Sequence, residues 1–226
     1  MFENRDLRQR GIVPNERLDT HATIIGVGAG GRDLALSLAI LGIKEITLID
    51  PQKVEEINLA SQGYREKDIG EYKVNATADL MKQLNSEIKI NTIPTRFNRS
   101  CVSNLGRIVF SSVDSIDTRK HIYGIVKDLV YVFIDGRASA ETIQVFCVYN
   151  EKTRAAYKDS FFAASEAYRD SCTGRSTNFI MKASTAIKIE MLTQYFRDID
   201  PPYKVEFNLF SMELSPTFIE NLQECA

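Results

Sequence analysis

Hydrophobic positions in the first 135 residues fall into short apolar runs separated by stretches with helical spacing. Thr23-Ile24-Ile25 reads as a buried strand, Asp33 to Leu41 as an apolar-periodic helix, and Glu45 to Ile49 as a second buried strand. From Pro51 to Gly70 the period disappears and polar residues dominate, which predicts a long irregular loop of the kind that usually carries function. A helix follows with Lys73, Val74, Ala76, Ala78, Leu80, Met81 and Leu84. Ile88 to Ile93 alternates as a third strand, Asn98 to Leu105 reads as a short helix, and Arg107 to Val113 as a fourth strand. Thr118 to Leu129 reads as a helix and Val130 to Ile134 as a fifth strand. Such alternation builds a parallel sheet covered on both faces, with the loops that follow the strands gathered at one edge.

After Asp135-Gly136-Arg137 the pattern changes. Glu141 to Tyr149 reads as an antiparallel-type strand, and Asn150 to Ser171 shows no period. Thr173 to Phe196 reads as a long helix with Phe179, Ile180, Ala183, Ala186, Ile187, Met191, Leu192 and Tyr195 on its apolar face. Asp200-Pro201-Pro202 stops it. Tyr203 to Phe210 alternates as a strand, and the tail to Ala226 has no clear reading. The predicted class is α/β: a Rossmann-like, mostly parallel sheet with helices on both faces and an antiparallel extension in the C-terminal third.

One stretch carries chemistry. Between the first strand and first helix stands Gly26-Val27-Gly28-Ala29-Gly30-Gly31, a G-x-G-x-x-G spacing, and the second strand ends on Asp50. Gly26 permits a tight turn, Gly28 lets the backbone approach a phosphate, and Gly31 lets helix and strand pack closely. The helix start then offers unpaired N–H groups and a positive dipole end to an anion. Asp50 stands where a carboxylate accepts from ribose hydroxyls. Residues 1–22 read as an N-terminal arm or short helix, and 23–226 as one nucleotide-binding domain.

Charge narrows the partners: 28 basic against 30 acidic residues leaves −2, which argues against nucleic acid. No apolar run reaches the eighteen residues a membrane span needs, and the charged N-terminus is not a secretory signal. Cys101, Cys147, Cys172 and Cys225 form no C-x-x-C pair, so no structural zinc is expected. Scattered thiols without a secretion signal predict a cytoplasmic protein.

From Arg5 to about Tyr195 the chain resembles the ThiF/MoeB/HesA adenylyltransferases of the ubiquitin-activating-enzyme superfamily. The family's R-x-x-R-Q arm stands at Arg5-Asp6-Leu7-Arg8-Gln9. Its D-x-x-x-V-x-x-x-N-L-x-R-Q element runs from Asp50 through Val54, Asn58 and Leu59 to Gln62. Its I-G-x-x-K element is Ile69-Gly70-Glu71-Tyr72-Lys73, and its D-x-x-x-x-R runs from Asp114 to Arg119. The resemblance implies ATP across Gly26, Gly28, Gly30 and Gly31, with Asp50 on the ribose and Asn58, Gln62 and Lys73 around the triphosphate. Asp114 matches the carboxylate that holds Mg²⁺, and Arg8 an arginine donated across a homodimer interface. The implied substrate is the C-terminal glycine carboxylate of a ubiquitin-like or sulfur-carrier protein, activated as an acyl-adenylate.

Two positions need weighing. Ser61 stands where the family has arginine, so another cation, with Arg32, Arg65 and Lys67 near in sequence, must serve or turnover weakens. Cys172, ahead of the long helix on a crossover loop of about 150–172, matches the family's acceptor thiol, for a thioester or acyl-disulfide; an ordinary half-buried cysteine is the plain alternative. Two other functions stay open: a nicotinamide-dependent oxidoreductase, which leaves Lys73, Asn58, Gln62 and Asp114 without a task, and a degenerate ThiF-like partner subunit.

Overall fold

The computed structural model describes residues 5–161 and 177–222. After turns over residues 5–12, the elements run β1 (His21–Ile25), α1 (Ala29–Leu41), β2 (Glu45–Ile49), α2 (Asn58–Gln62), α3 (Lys73–Leu84), β3 (Lys89–Ile93), β4 (Ile108–Ser111), α4 (Ile116–Val126), β5 (Val132–Ser139), β6 (Thr142–Val148), α5 (Glu151–Asp159), α6 (Asn178–Phe196), β7 (Lys204–Asn208) and β8 (Glu213–Thr217). They form one sheet in the order β3-β2-β1-β4-β5-β6-β7-β8. The first five strands are parallel, and β6, β7 and β8 join antiparallel at one side.

The pleat sorts side chains between two cores. Ile24, Phe110, Ile134 and Cys147 lie in register across four strands and pack with Leu34 and Leu38 of α1 and Ile180, Met191 and Leu192 of α6. One position along, Val109, Phe133 and Val148 face Ile122 and Tyr123 of α4 and Tyr157 of α5. Each fully buried Leu or Ile contributes about 1.5–3 kcal/mol relative to exposure. The chain reverses its winding between β1 and β4, so the crevice where ligands bind such sheets opens beyond the ends of these two strands.

The departures from expectation are local. The stretch read as irregular from Asn150 contains α5, closed at its start by a capping box between Asn150 and Thr153. Only Thr153 and Tyr157 of that helix are buried, too sparse a stripe to show as a period, and the helix occupies the first part of the stretch assigned to the crossover. The 51–70 loop holds α2 and a 3-10 turn, Glu66–Asp68. Asp135-Gly136-Arg137 does not end a strand but lies within β5. The long helix starts at Asn178 with Thr177 as its cap; 173–176 lie outside the described residues. Phe179 and Ala186, placed on its apolar face, are exposed. The unread tail supplies β8.

Candidate nucleotide-binding site

The glycine turn joins β1 to α1 at the crevice. Gly26 has φ +89°, and a side chain there would begin 2.7 Å from the Ser112 carbonyl oxygen after β4. Gly31 packs so closely on Gly26 that no side chain fits. Gly28, the N-cap of α1, faces a roomier space whose nearest atom, Gln62 Oε1, is 3.8 Å from where a side chain would begin. Gly30 faces Met181 and Lys188 of α6, so its α-carbon serves packing between helices.

Asp50 is buried at the end of β2. Its Oδ2 accepts from the Val27 N–H at 2.7 Å and its Oδ1 from the Gln52 N–H at 2.8 Å, so it ties the glycine turn to the loop after β2. Tyr64 closes the same region from below, donating to the Val27 carbonyl at 2.6 Å and lying 3.2 Å from Thr77 Oγ1. Asn58 is buried at the start of α2, its Oδ1 accepting from the Glu55 N–H at 3.0 Å. Gln62, at the end of α2, has a buried Oε1 without a partner.

Lys73 opens α3 and is 3% exposed, with Nζ donating to Gln52 Oε1 at 2.8 Å. Burial lowers its pKa, while the charges of Asp50, Glu55 and Asp114 work against the shift. Asp114 is exposed on the loop after β4, beside the Val113 carbonyl that accepts from Arg119. Among the described residues no group of three or more His, Cys, Asp or Glu is arranged to hold a metal. A single carboxylate suits Mg²⁺, which is commonly held by one or two carboxylates together with substrate phosphates.

The structure thus brings Gly26, Gly28, Gly31, Asp50, Gln62, Lys73 and Asp114 to one crevice, while the Asn58 side chain is spent on its own loop. Arg8 lies elsewhere. Its segment is moored at the far end of α1, where Arg5 donates to the Leu84 carbonyl at 2.9 Å and Gln9 to the Leu41 carbonyl at 2.7 Å. The 13 residues of α1 span about 20 Å, so Arg8 cannot reach the glycine turn of its own chain. Cys172 and Cys225 lie outside the described residues. Cys101 and Cys147 are buried, and burial pushes the Cys147 thiol pKa up.

Sequence reasoning missed a second set. Asp135, fully buried, accepts from Arg119, from Arg137 Nε at 2.8 Å and from the Tyr157 hydroxyl at 2.9 Å. Burial alone would raise its pKa; the two guanidiniums more than reverse that. Arg119 bridges Asp135 to Val113 and so fixes the loop that carries Asp114. Beside Arg137 a cleft of about 630 Å³ opens between α5 and β5–β7, lined in part by Phe146, Lys152, Asp159, Tyr203 and Lys204. Lys188 is buried behind the glycine turn, with Nζ 3.2 Å from Ser112 Oγ.

The sheet order and the crevice define a Rossmann-like α/β protein. The ThiF family pattern matches residues 14–219, and the chain belongs to that family. The NEDD8-activating enzyme E1 catalytic subunit of Caenorhabditis elegans is 29% identical over 128 residues, 55% of this chain and 30% of that protein. The adenylyltransferase and sulfurtransferase MOCS3 of Dictyostelium discoideum is 36% identical over 100 residues, 42% of this chain and 24% of that protein. The matched stretches therefore amount to less than a third of these relatives' own length. Among solved structures, E. coli MccB with MccA-N7isoASN superposes with a TM-score of 0.75 at 17% identity, covering 97% of this chain and 72% of that one. E. coli MccB with ATP gives 0.68 at 17%, covering 90% and 65%. These likenesses establish the fold.

Proposed function

We propose that this chain is an ATP-dependent adenylyltransferase acting on the C-terminal glycine carboxylate of a ubiquitin-like or sulfur-carrier protein. The observation that carries the reading is Lys73. Its buried amine opens α3 within the electrostatic reach of both Asp50 and Asp114. A redox dinucleotide gives such a cation no task, whereas a triphosphate beside a metal-binding carboxylate does. Relatives named as activating enzymes and adenylyltransferases, and a fold neighbour solved with ATP, support the same direction.

In this reading the N–H groups at the glycine turn and the start of α1 meet phosphate oxygens, and Gln62 faces the nucleotide across Gly28. Asp50 holds the turn and presents its remaining lone pairs to the ribose. Asp114 would hold Mg²⁺, which neutralises triphosphate charge. A carboxylate oxygen of the carrier attacks the α-phosphorus, the bond from that phosphorus to the bridging oxygen breaks, and pyrophosphate leaves. Positioning and charge neutralisation carry this step, and no enzyme nucleophile is needed. Arg8 serves only in trans, from a second copy in a homodimer. Cys172 is the acceptor if the acyl group moves on to the enzyme.

ATP–pyrophosphate exchange with Gly-Gly-terminated carrier proteins tests the reading. Exchange is expected with the wild-type chain, and a loss of about 100-fold or more with Lys73→Met. Binding of NADH with no binding of Mg-ATP would overturn it. One observation favours a catalytically degenerate partner subunit instead: the Ser61 hydroxyl is spent on the Ile57 carbonyl at 2.9 Å. A chain that binds carrier protein yet exchanges no pyrophosphate would take that reading.

A further inference from the structure

We propose that Arg32 is the guanidinium that grips the phosphates of the bound nucleotide, a task residue 61 does not perform in this chain. The proposal rests on the nucleotide reading above and adds a binding residue to it. Arg32 belongs to the first turns of α1 and is 8% exposed. Its guanidinium carbon stands 4.9 Å from the centre of the Tyr64 ring, and the ring is fixed because its hydroxyl is locked to Val27. Nη1 lies 3.1 Å from where a side chain on Gly63 would begin. Gly63 follows Gln62 directly, whose partnerless Oε1 lies 3.8 Å from where a side chain on Gly28 would begin.

The Nε of Arg32 is buried and has no partner. No carboxylate of the described residues lies within ion-pair distance of it, and burial weakens its hold on the proton. Asp68 and Asp33 act on it only from beyond contact distance, and a buried cation with an unspent donor and no ion-pair partner is costly in an unliganded protein. At the anion-binding end of a helix that cost falls once an anion arrives, and a guanidinium can meet two phosphate oxygens at once. The two other cations near Ser61 in sequence are committed elsewhere. Arg65 is paired twice with Asp68, at 2.9 Å each, and with Asp79 at 3.0 Å. Lys67 is exposed and sits 3.8 Å from Asp79. Ser61 is turned to its own helix.

The test measures Mg-ATP and adenosine affinity in wild type, Arg32→Met, Arg65→Met and the double variant Arg32→Met/Ser61→Arg. Methionine keeps apolar bulk over Tyr64, and because Nε makes no bond, Arg32→Met is expected to fold with an unchanged or raised melting temperature. It should weaken Mg-ATP roughly 10- to 100-fold, the worth of a charged hydrogen bond, and leave adenosine within about threefold. Arg65→Met should leave ATP affinity unchanged, and Ser61→Arg should restore much of the loss. If wild type binds no Mg-ATP, the parent reading fails. If wild type binds and Arg32→Met binds equally, or if Arg32→Met loses its folding transition, the Arg32 proposal alone is overturned.

Discussion

Two consecutive residues of β5 face opposite sides of the sheet, and the charges buried on those sides are treated in opposite ways. Asp135 points to the α4–α5 side, where Arg119, Arg137 and Tyr157 all donate to it. Gly136 faces the α6 side, where the absence of a side chain makes room for the stem of Lys188. That ammonium has the Ser112 hydroxyl as its one hydrogen-bond partner among the described residues, and Asp135 acts on it only through the sheet. The satisfied cluster does structural work, holding the loop before α4 and the helix α5. Three under-satisfied groups, Lys188, Arg32 Nε and Gln62 Oε1, lie behind and beside the glycine turn, while Asn15 Oδ1, Ser111 Oγ and Thr185 Oγ1 are also buried without partners. Polar groups left short of partners mark the place that a ligand is to complete.

The strongest way to break this contrast is Asp135→Asn. It leaves two buried guanidiniums facing a neutral amide, and removal of one partner from such a cluster typically costs about 3–5 kcal/mol. Chemical denaturation should show a loss of that order. The acid limb provides a second readout. Because the Asp135 pKa is held below its ordinary value, its stabilisation is full above the ordinary carboxylate range and is lost as pH falls through the folded-state value. The variant should lack that part of the acid dependence. A loss below about 1 kcal/mol would mean the cluster is not the structural lock it resembles.

Lys188→Met should have the opposite sign. Burial lowers the Lys188 pKa from 10.5 to about 8, against the pull of Asp135 and Asp33 and with the help of Arg119. The unfolded chain therefore binds the proton more tightly, and the penalty is full below about pH 8 and fades as pH rises towards the unfolded value. Wild-type stability, compared with the variant, should rise between these limits. At neutral pH the methionine variant is expected to be more stable by about 1–4 kcal/mol, as when buried charges yield to apolar residues. Urea unfolding of both proteins at pH 7 and pH 10 checks this; a variant less stable at pH 7 would show that Lys188 is already compensated.

The same contrast explains what the amino-acid sequence reveals and what it hides. The glycine spacing, Asp50 and the buried strands are legible because each is a local pattern: a turn that needs positive φ, a strand end, an apolar run. The placement of Arg8 is hidden because it depends on where residues 5–9 moor, at Leu41 and Leu84. Asp135 is hidden because its partners come from α4, α5 and β5 itself, up to 22 residues away. Lys188 left a signal that a strict apolar filter misses. It follows Ile180 and Ser184 at four-residue steps, three residues before Met191, and so lies on the buried stripe of α6. Phe179 drew attention by its chemistry and lies off that stripe, 56% exposed.

The smallest effect separates the hydrogen bond at Asp135 from the packing around it. In Tyr157→Phe the ring stays among Tyr123, Phe161, Phe133 and Phe146, whose centroids lie 4.7–5.6 Å away. Only the hydroxyl that meets Asp135 Oδ2 is lost. Arg137 Nε still donates to the same oxygen at 2.8 Å, so the carboxylate is not orphaned. The cost should be about 1–2 kcal/mol, within the range for a bond to a charged group and well short of Asp135→Asn. Combined with Asp135→Asn, the hydroxyl change should add little, because the charge it served is gone. Additive losses would place the contribution of Tyr157 in its ring, and the lock would then be one of packing rather than of charge.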